Sequence, residues 1–193
     1  MISQYLIDQV SDLAKKEMEK YKVPSKVHFS MAISKGKQLA KLLGAREDLV
    51  ALGTILMDIK LGEAYNLNQL GQHVHMSLEY AKQILGDSDA LTGPEKEIIY
   101  NSIEAHHGAM SHTSLESEIV SNADCYRFIH PMGVTWWNAI LGTRTDNILE
   151  ILKQLDLKLE EKWQLVSLPI VKKELEPYYL QYKHLFKIAG TDF

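Results

Sequence analysis

The sequence contains a single cysteine, Cys125, which excludes an internal disulfide and is typical of proteins from a reducing cytosol. It also lacks any apolar run that approaches the roughly 18 residues a membrane-spanning helix needs. The N-terminal stretch MISQYLIDQVSDLAKK has an early aspartate, Asp8, and no continuous apolar core, so it does not resemble a signal peptide. We therefore expect a cytoplasmic protein.

An excess of positive charge is absent as well. The 21 Lys and Arg side chains are outnumbered by 25 Asp and Glu side chains, which gives a net charge of −4 with histidine neutral. This balance predicts that neither nucleic acid nor an anionic membrane is a partner. With 193 residues, 46% of them hydrophobic and 24% charged, the chain has the size and composition of one globular domain.

Apolar residues recur every three to four positions along most of the chain, which is the periodicity of an α-helix. The pattern predicts an all-α fold. Ser3 is placed to cap a helix that runs to about residue 21, and Gly44 to end a second helix that begins near residue 26. Further helices are expected over 46–58, 73–85, 94–107 and 113–129, the last opened by a capping box. Two or three more, interrupted by Pro169 and Pro177, are expected over 136–189, whereas 59–72 is expected to be loose.

Ionisable side chains fall on the apolar faces of these helices. They are His28, Asp58, His106, His107 and Asp124. Asp58 closes the apolar run LVALGTILM, and Asp124 lies between Val120 and Phe128. Burying an ionised carboxylate without a partner costs on the order of several kcal/mol. The two aspartates therefore need cations or strong hydrogen-bond donors nearby.

The histidines have ordinary interpretations when each is taken alone. A single buried histidine such as His28 is most often satisfied by a backbone carbonyl. His106 and His107 could complement the negative end of a helix dipole.

The aspartates have ordinary interpretations too. Asp124 could pair with Arg127 in the next helical turn, and Asp58 could be held by Lys60 or by a helix N-terminus. All of these interpretations would have to hold at once, however. A single metal site explains the whole set more economically.

The order of these residues resembles that of the HD superfamily of metal-dependent phosphohydrolases. The family pattern is a His on one helix, a His-Asp dyad that ends another, in some members further His residues, and a distant Asp. The matching stretches are VHFSMAISKGKQLA with His28, LVALGTILMDIK with Asp58, HVHMSLEYAKQIL with His73, IIYNSIEAHH with His106 and His107, and IVSNADCYRF with Asp124. The resemblance implies one domain over 1–193, with an HD-like helical core at 20–130 and a helical extension at 131–193 packed on it.

The resemblance also implies a divalent metal, Fe, Mn, Mg or Zn, as one or two ions. One ion would be bound by His28, Asp58 and Asp124, and the other by Asp58, His73 and His106 or His107. His75 is the alternative to His73. The sequence departs from the family at Met57, which stands where the dyad has its His, and a thioether is a poor ligand for these metals. We interpret Met57 as a lost ligand.

Two functions follow as expectations. The first is a metal-dependent phosphohydrolase that acts on a nucleotide or other small phosphate ester, with Asp58 at the catalytic centre and Lys60 and Arg127 as cations that stabilise the phosphoryl group. The alternative is a degenerate HD domain, without metal or hydrolysis, that senses a ligand or binds a partner. The aromatic C-terminal third is either a surface for a partner or a second copy of the chain, or further helices packed on the core. Oxygen chemistry at an iron site is a more remote hypothesis.

Overall fold

The computed structural model describes residues 2–191, and over these residues it contains no β-strand, which confirms the all-α class. Its helices are α1 (Gln4–Tyr21), α2 (Lys26–Leu43), α3 (Glu47–Leu56), α4 (Leu61–Asn66), α5 (His73–Leu85), α6 (Gly93–Ala105), α7 (Leu115–Ile129), α8 (Pro131–Gly142), α9 (Ile148–Leu165) and α10 (Pro169–Thr191). A single 3-10 turn (Leu70–Gln72) precedes α5.

Local signals in the sequence account for several helix ends. Ser3 Oγ accepts a hydrogen bond from the Leu6 N–H at 3.4 Å and caps α1. Gly44 follows α2 with φ +71°, a left-handed conformation in which a β-carbon would be strained. The Thr92 side chain and Glu95 form a reciprocal capping box at the start of α6.

Three expectations about local structure were wrong. Residues 61–66 form α4 instead of a loose segment. The cap of α7 is Ser114, whose Oγ accepts from the Ser117 N–H at 3.1 Å, while the Glu116 carboxylate accepts from the Arg46 N–H at 3.0 Å instead of closing a capping box. Pro177 lies inside α10 and does not end it, although proline lacks the N–H that the preceding turn would bond.

The chain divides into two compact units, residues 1–123 and 124–193, with the division inside α7. The expectation of a single domain with the extension packed on the core concerns both units together and stays a prediction. No helix over residues 2–191 combines the length and apolar character that a membrane span requires.

Helix α3 is the centre of the first unit. Every residue from Leu49 to Leu56 is buried, so this helix has no solvent-facing side. It contacts α1, α2, α5 and α6. An apolar run that ends in Asp58 is thus the sequence of a helix surrounded by other helices, and it delivers the aspartate to the interior.

The second unit has its own apolar centre. Val134 and Leu141 of α8 pack with Ile151 and Leu155 of α9, and Trp137, Tyr182 and Phe186 cover them. α9 contacts both α8 and α10. This unit therefore forms a small helical assembly around α9.

The start of α3 is fixed by the Asp48 carboxylate. Asp48 Oδ1 and Oδ2 are each 2.8 Å from the Arg46 guanidinium, and the Ile2 N–H donates to Oδ2 at 2.7 Å. Arg46 also pairs with Glu95 at 2.9 Å. The Arg46 guanidinium, aided by the Ile2 and Leu49 backbone amides, outweighs the effect of burial and lowers the pKa of Asp48 to about 2.

We predict that Asp48 makes the stability of the first unit depend on acid pH. Because the pKa of Asp48 is lower in the folded protein than its ordinary value of 3.8, its contribution is present above about pH 5 and is lost as the pH falls toward 2. Asp48→Asn should lower the free energy of unfolding by about 1–2 kcal/mol near neutral pH and by progressively less below pH 5. Urea unfolding of both proteins at a series of pH values measures this difference.

The matched control is Asp89→Asn, at an exposed aspartate. It should unfold like the wild type at every pH. A difference between Asp48→Asn and the wild type that stays constant down to pH 3 would contradict the assignment.

A second prediction concerns the close contact at Gly62, in the first turn of α4. A β-carbon there would lie 2.5 Å from the Val23 carbonyl oxygen and 2.6 Å from Tyr21 Cβ. Since backbone must move to relieve this contact, Gly62→Ala should lower the free energy of unfolding by about 1–3 kcal/mol. Gly71→Ala, where nothing lies within 4 Å, should change it little or raise it slightly. Equal denaturation midpoints for the two variants would show that the contact is not rigid.

Candidate metal centre

Asp58 lies in the turn that follows α3, and this turn is tied to α5. The Leu61 N–H donates to the Asp58 carbonyl oxygen at 3.0 Å, and the Lys60 N–H donates to Ser77 Oγ at 3.1 Å. Ser77 is wholly buried on α5, and His73 lies one helical turn before it on the same face. The hydrogen bond to Ser77 therefore holds the Asp58 turn beside His73.

His106 and His107 come from the end of the neighbouring helix. α6 packs against both α5 and α3, and the two histidines follow its last residue, Ala105. His106 is wholly buried and His107 is half-buried, with ring centroids 4.2 Å apart. The sequence left open which of the two faces the site, and both do.

Four side chains converge at this point, and we call them the His–Asp cluster: Asp58, His73, His106 and His107. One candidate ligand atom from each lies within 4.8 Å of the other three. Asp58 Oδ1 is 3.5 Å from Nε2 of His73 and 3.5 Å from Nε2 of His106. The Nε2 atoms of His73 and His107 are 3.2 Å apart. His75, the alternative to His73, is exposed.

Backbone carbonyls fix the orientation of two of the imidazoles. His73 Nδ1 donates to the Leu70 carbonyl oxygen at 2.7 Å, and His106 Nδ1 donates to the Ile103 carbonyl oxygen at 2.7 Å. A carbonyl oxygen only accepts, so each Nδ1 carries a proton, and in the neutral form of each ring the lone pair of Nε2 is directed into the cluster. Proteins orient histidines toward metal ions in this way.

The donor set fits a divalent ion. His106 Nε2 is buried, and no hydrogen-bond partner for it occurs within residues 2–191. An acceptor buried in this way is costly unless a cation or a donor meets it. Three of the six separations between donor atoms are 3.2–3.5 Å, close to the about 3.3 Å expected between ligands of a tetrahedral ion with bonds of about 2.0 Å, and the others are within 4.8 Å. The cluster could therefore bind a metal ion.

Lys60, a predicted catalytic cation, is held by two carboxylates. Its Nζ is 2.8 Å from Glu63 Oε2, 3.3 Å from Glu17 Oε2 and 4.2 Å from the centroid of the Tyr80 ring. Burial lowers the pKa of the Lys60 ammonium, but the two glutamates more than offset this and leave the pKa raised. The ammonium thus links α1, α4 and α5, and its catalytic role stays a prediction.

Asp124 lies in the second unit, where two cations engage its carboxylate. Arg127 Nη2 contacts Asp124 Oδ1, as one of the ordinary interpretations expected, and Lys162 Nζ is 2.6 Å from Oδ2. Lys162 and Asp124 are both wholly buried and Arg127 nearly so. Burial lowers the pKa of Lys162, but its anionic neighbours, Asp124 foremost, leave that pKa raised, so the ammonium is charged at neutral pH. The roles of Asp124 in metal binding and of Arg127 in catalysis stay predictions.

His28 and Met57 are buried in the first unit, at 5% and 1% exposure. The His28 N–H donates to Ser25 Oγ at 3.2 Å in the first turn of α2. His28 is not one of the four residues of the His–Asp cluster. Its predicted role as a ligand, and the interpretation of Met57 as a lost ligand, stay predictions.

Lys162 was missed by the sequence analysis, although the sequence contains a signal for it. In α9 it continues the apolar stripe of Leu155 and Leu159 toward Val166, at helical spacing, and all four are buried. A lysine on a core stripe needs a buried carboxylate as its partner. The pattern therefore predicts that Lys162 is buried against a carboxylate, but it does not identify Asp124, on another helix, as that carboxylate.

Comparison with known proteins gives a likeness in structure only. No protein-family model matches the sequence, and no curated protein matches it. The crystal structure of a predicted HD superfamily hydrolase from an uncultured Thermotogales bacterium is similar, with a TM-score of 0.67 over 96% of this chain and 91% of that chain, at 14% sequence identity. At this identity the likeness shows the fold, which is therefore that of an HD domain, as the residue pattern implied.

We predict that His73 is a metal ligand and His75 is not. His73→Ala should weaken binding of Mn²⁺ or Zn²⁺ by about 100-fold or more, since loss of a direct ligand should cost at least as much as loss of a residue that only orients one. His75→Ala, two residues along the same helix, is the matched control and should bind like the wild type. Competition titration against a chelator dye measures both affinities, and equal affinities would refute the assignment.

Proposed function

We propose that this chain is a metal-dependent phosphohydrolase that acts on a nucleotide or another small phosphate ester. The observation that carries the proposal is the His–Asp cluster, in which the buried Nε2 of His106 and Oδ1 of Asp58 lie 3.5 Å apart. The HD-domain fold supports it. A divalent ion bound in such a centre supplies Lewis acidity, which activates water and polarises a phosphoryl oxygen.

The groups that form the cluster have different roles in binding a metal ion. The Leu70 and Ile103 carbonyl oxygens hold His73 and His106 as acceptors at Nε2. Asp58 brings the one negative charge of the cluster, which favours a cation. With three nitrogen donors the set suits Zn, Fe or Mn better than Mg, which prefers oxygen ligands.

The His–Asp cluster is most accessible to solvent on the side of His73 and His107. The His106 side chain is wholly buried and that of Asp58 is 6% exposed, whereas that of His73 is 13% exposed and His107 is half-buried. A phosphate ester would therefore approach over His73 and His107. Stabilisation of the phosphoryl charge by Lys60 would require its ammonium to leave Glu17 or Glu63, because both carboxylates now hold it.

The test is a hydrolysis screen on the chain loaded with Mn²⁺ or Zn²⁺. Nucleoside mono-, di- and triphosphates and simple phosphate esters are incubated with it, and product is measured by chromatography and phosphate release. We expect turnover of at least one compound, and a loss of kcat/KM of about 100-fold or more in His106→Gln.

The control for the screen is His75→Gln, which should keep the full rate because His75 is exposed on the surface of α5. Activity that survives unchanged in His106→Gln would come from another site or from a contaminant. No turnover of any compound by the metal-loaded chain would contradict the proposal.

A second candidate function is a ligand-sensing or partner-binding module without hydrolysis. Two observations favour it, the burial of Met57 and the engagement of Asp124 by Lys162. It predicts that a nucleotide raises the melting temperature of the chain without being consumed.

The cytoplasmic location stays a prediction that depends on the cysteine content.

A further inference from the structure

The Asp124 carboxylate already has positive charge on both of its oxygens. Lys162 Nζ lies 2.6 Å from Oδ2, and Arg127 Nη2 contacts Oδ1. Both cations lie in the same unit as Asp124, Lys162 on α9 and Arg127 in the last part of α7. A metal ion bonded to Oδ2 would lie within about 5 Å of the Lys162 ammonium. At that distance, in an interior without bulk water, two cations repel each other strongly.

Lys162 is buried because of its position along α9. It occupies the core stripe of Leu155, Leu159 and Val166, and its side chain is 0% exposed. A lysine buried in that position must have its ammonium compensated by carboxylates, here Asp124 at 2.6 Å and the more distant Glu161 at 3.5 Å. Lys162 and Asp124 therefore depend on each other, and the pair is permanent because both charges are part of the chain.

The first unit, in contrast, offers one complete set of ligands. The His–Asp cluster supplies four donor atoms from four residues, enough for one ion. Met57, next to Asp58, has no nitrogen or oxygen in its side chain. His28 is buried but is not part of the cluster.

We propose that the chain binds one divalent ion, in the His–Asp cluster, and that Lys162 and Arg127 compensate Asp124 in place of a second ion. The inference differs from the ligand set that the sequence implied, since it leaves out His28 and Asp124. It depends on the metal-binding part of the proposed function but not on hydrolysis.

The first experiment counts ions by elemental analysis. The full chain is treated with chelator, incubated with Mn²⁺ or Zn²⁺ alone, and freed of loosely bound ion. We expect about one ion per wild-type chain. His28→Gln should keep that ion and His106→Gln should lose it, a matched pair because both histidines are buried. Two ions per chain, no ion, or loss of the ion in His28→Gln would each overturn the inference.

The second experiment tests the role of Lys162. Lys162→Met leaves Asp124 with one cation fewer and should lower the melting temperature. Asp124→Asn removes the carboxylate that both the Lys162 ammonium and the Arg127 guanidinium contact, and it should lower the melting temperature further. The double change Asp124→Asn with Lys162→Met removes one of those two buried cations, so it should melt above Asp124→Asn alone and still bind one ion. Lys153→Met, at an exposed lysine of α9, is the control and should melt close to the wild type.

The outcomes of the second experiment are distinct. Loss of the ion in the double variant would make Asp124 a ligand and overturn the inference. So would a double variant that melts no higher than Asp124→Asn alone, because the charges of Lys162 and Asp124 would then not be coupled. A chain with one ion and no hydrolysis would refute the proposed function and leave this inference standing, whereas two ions with hydrolysis would do the reverse.

Discussion

A carboxylate taken out of water has to be compensated by positive charge or by hydrogen-bond donors, and this constraint acts twice in the chain. Asp58 is 4% exposed and Asp124 is 0% exposed. Asp124 meets two side-chain cations in its own unit. Asp58 meets imidazoles instead, and the rings of His73 and His106 are turned by backbone carbonyls so that lone pairs face it. Imidazole nitrogens that face a carboxylate form a donor set for a cation, so this second arrangement favours a metal ion at its centre.

The central helix explains why Asp58 is buried at all. Because α3 is surrounded by α1, α2, α5 and α6, the chain that leaves its end is still in the interior. The turn is then fixed by the bond from the Lys60 N–H to Ser77 Oγ, on the helix that also carries His73. The site is thus a consequence of packing three helix ends around one buried turn, and its geometry depends on the same contacts that stabilise the first unit.

The sequence predicted much of this arrangement and missed the parts that depend on distant partners. Helix ends marked by Ser3 and Gly44 lie where expected, because capping is local. Glu116 was assigned to a local capping box, but its carboxylate bonds the Arg46 N–H, 70 positions away. Lys162 was missed for the same reason, since its partner lies on another helix. The sequence also could not decide between His106 and His107, because a helical phase error of one residue exchanges them. The turn after α6 places both histidines in the cluster.

The two ways of compensating a buried aspartate differ in what they allow chemically. An ammonium is held by the chain and has no vacant coordination position, so it fixes charge but cannot activate water. A metal ion bound by imidazoles and one carboxylate can do so, and a chelator can remove it. Lys162 and Arg127 already compensate the charge of Asp124, so this carboxylate does not depend on a metal ion for its burial. The His–Asp cluster is therefore the site at which we propose hydrolysis, and the half-buried His107 and 13%-exposed His73 lie on its more exposed side.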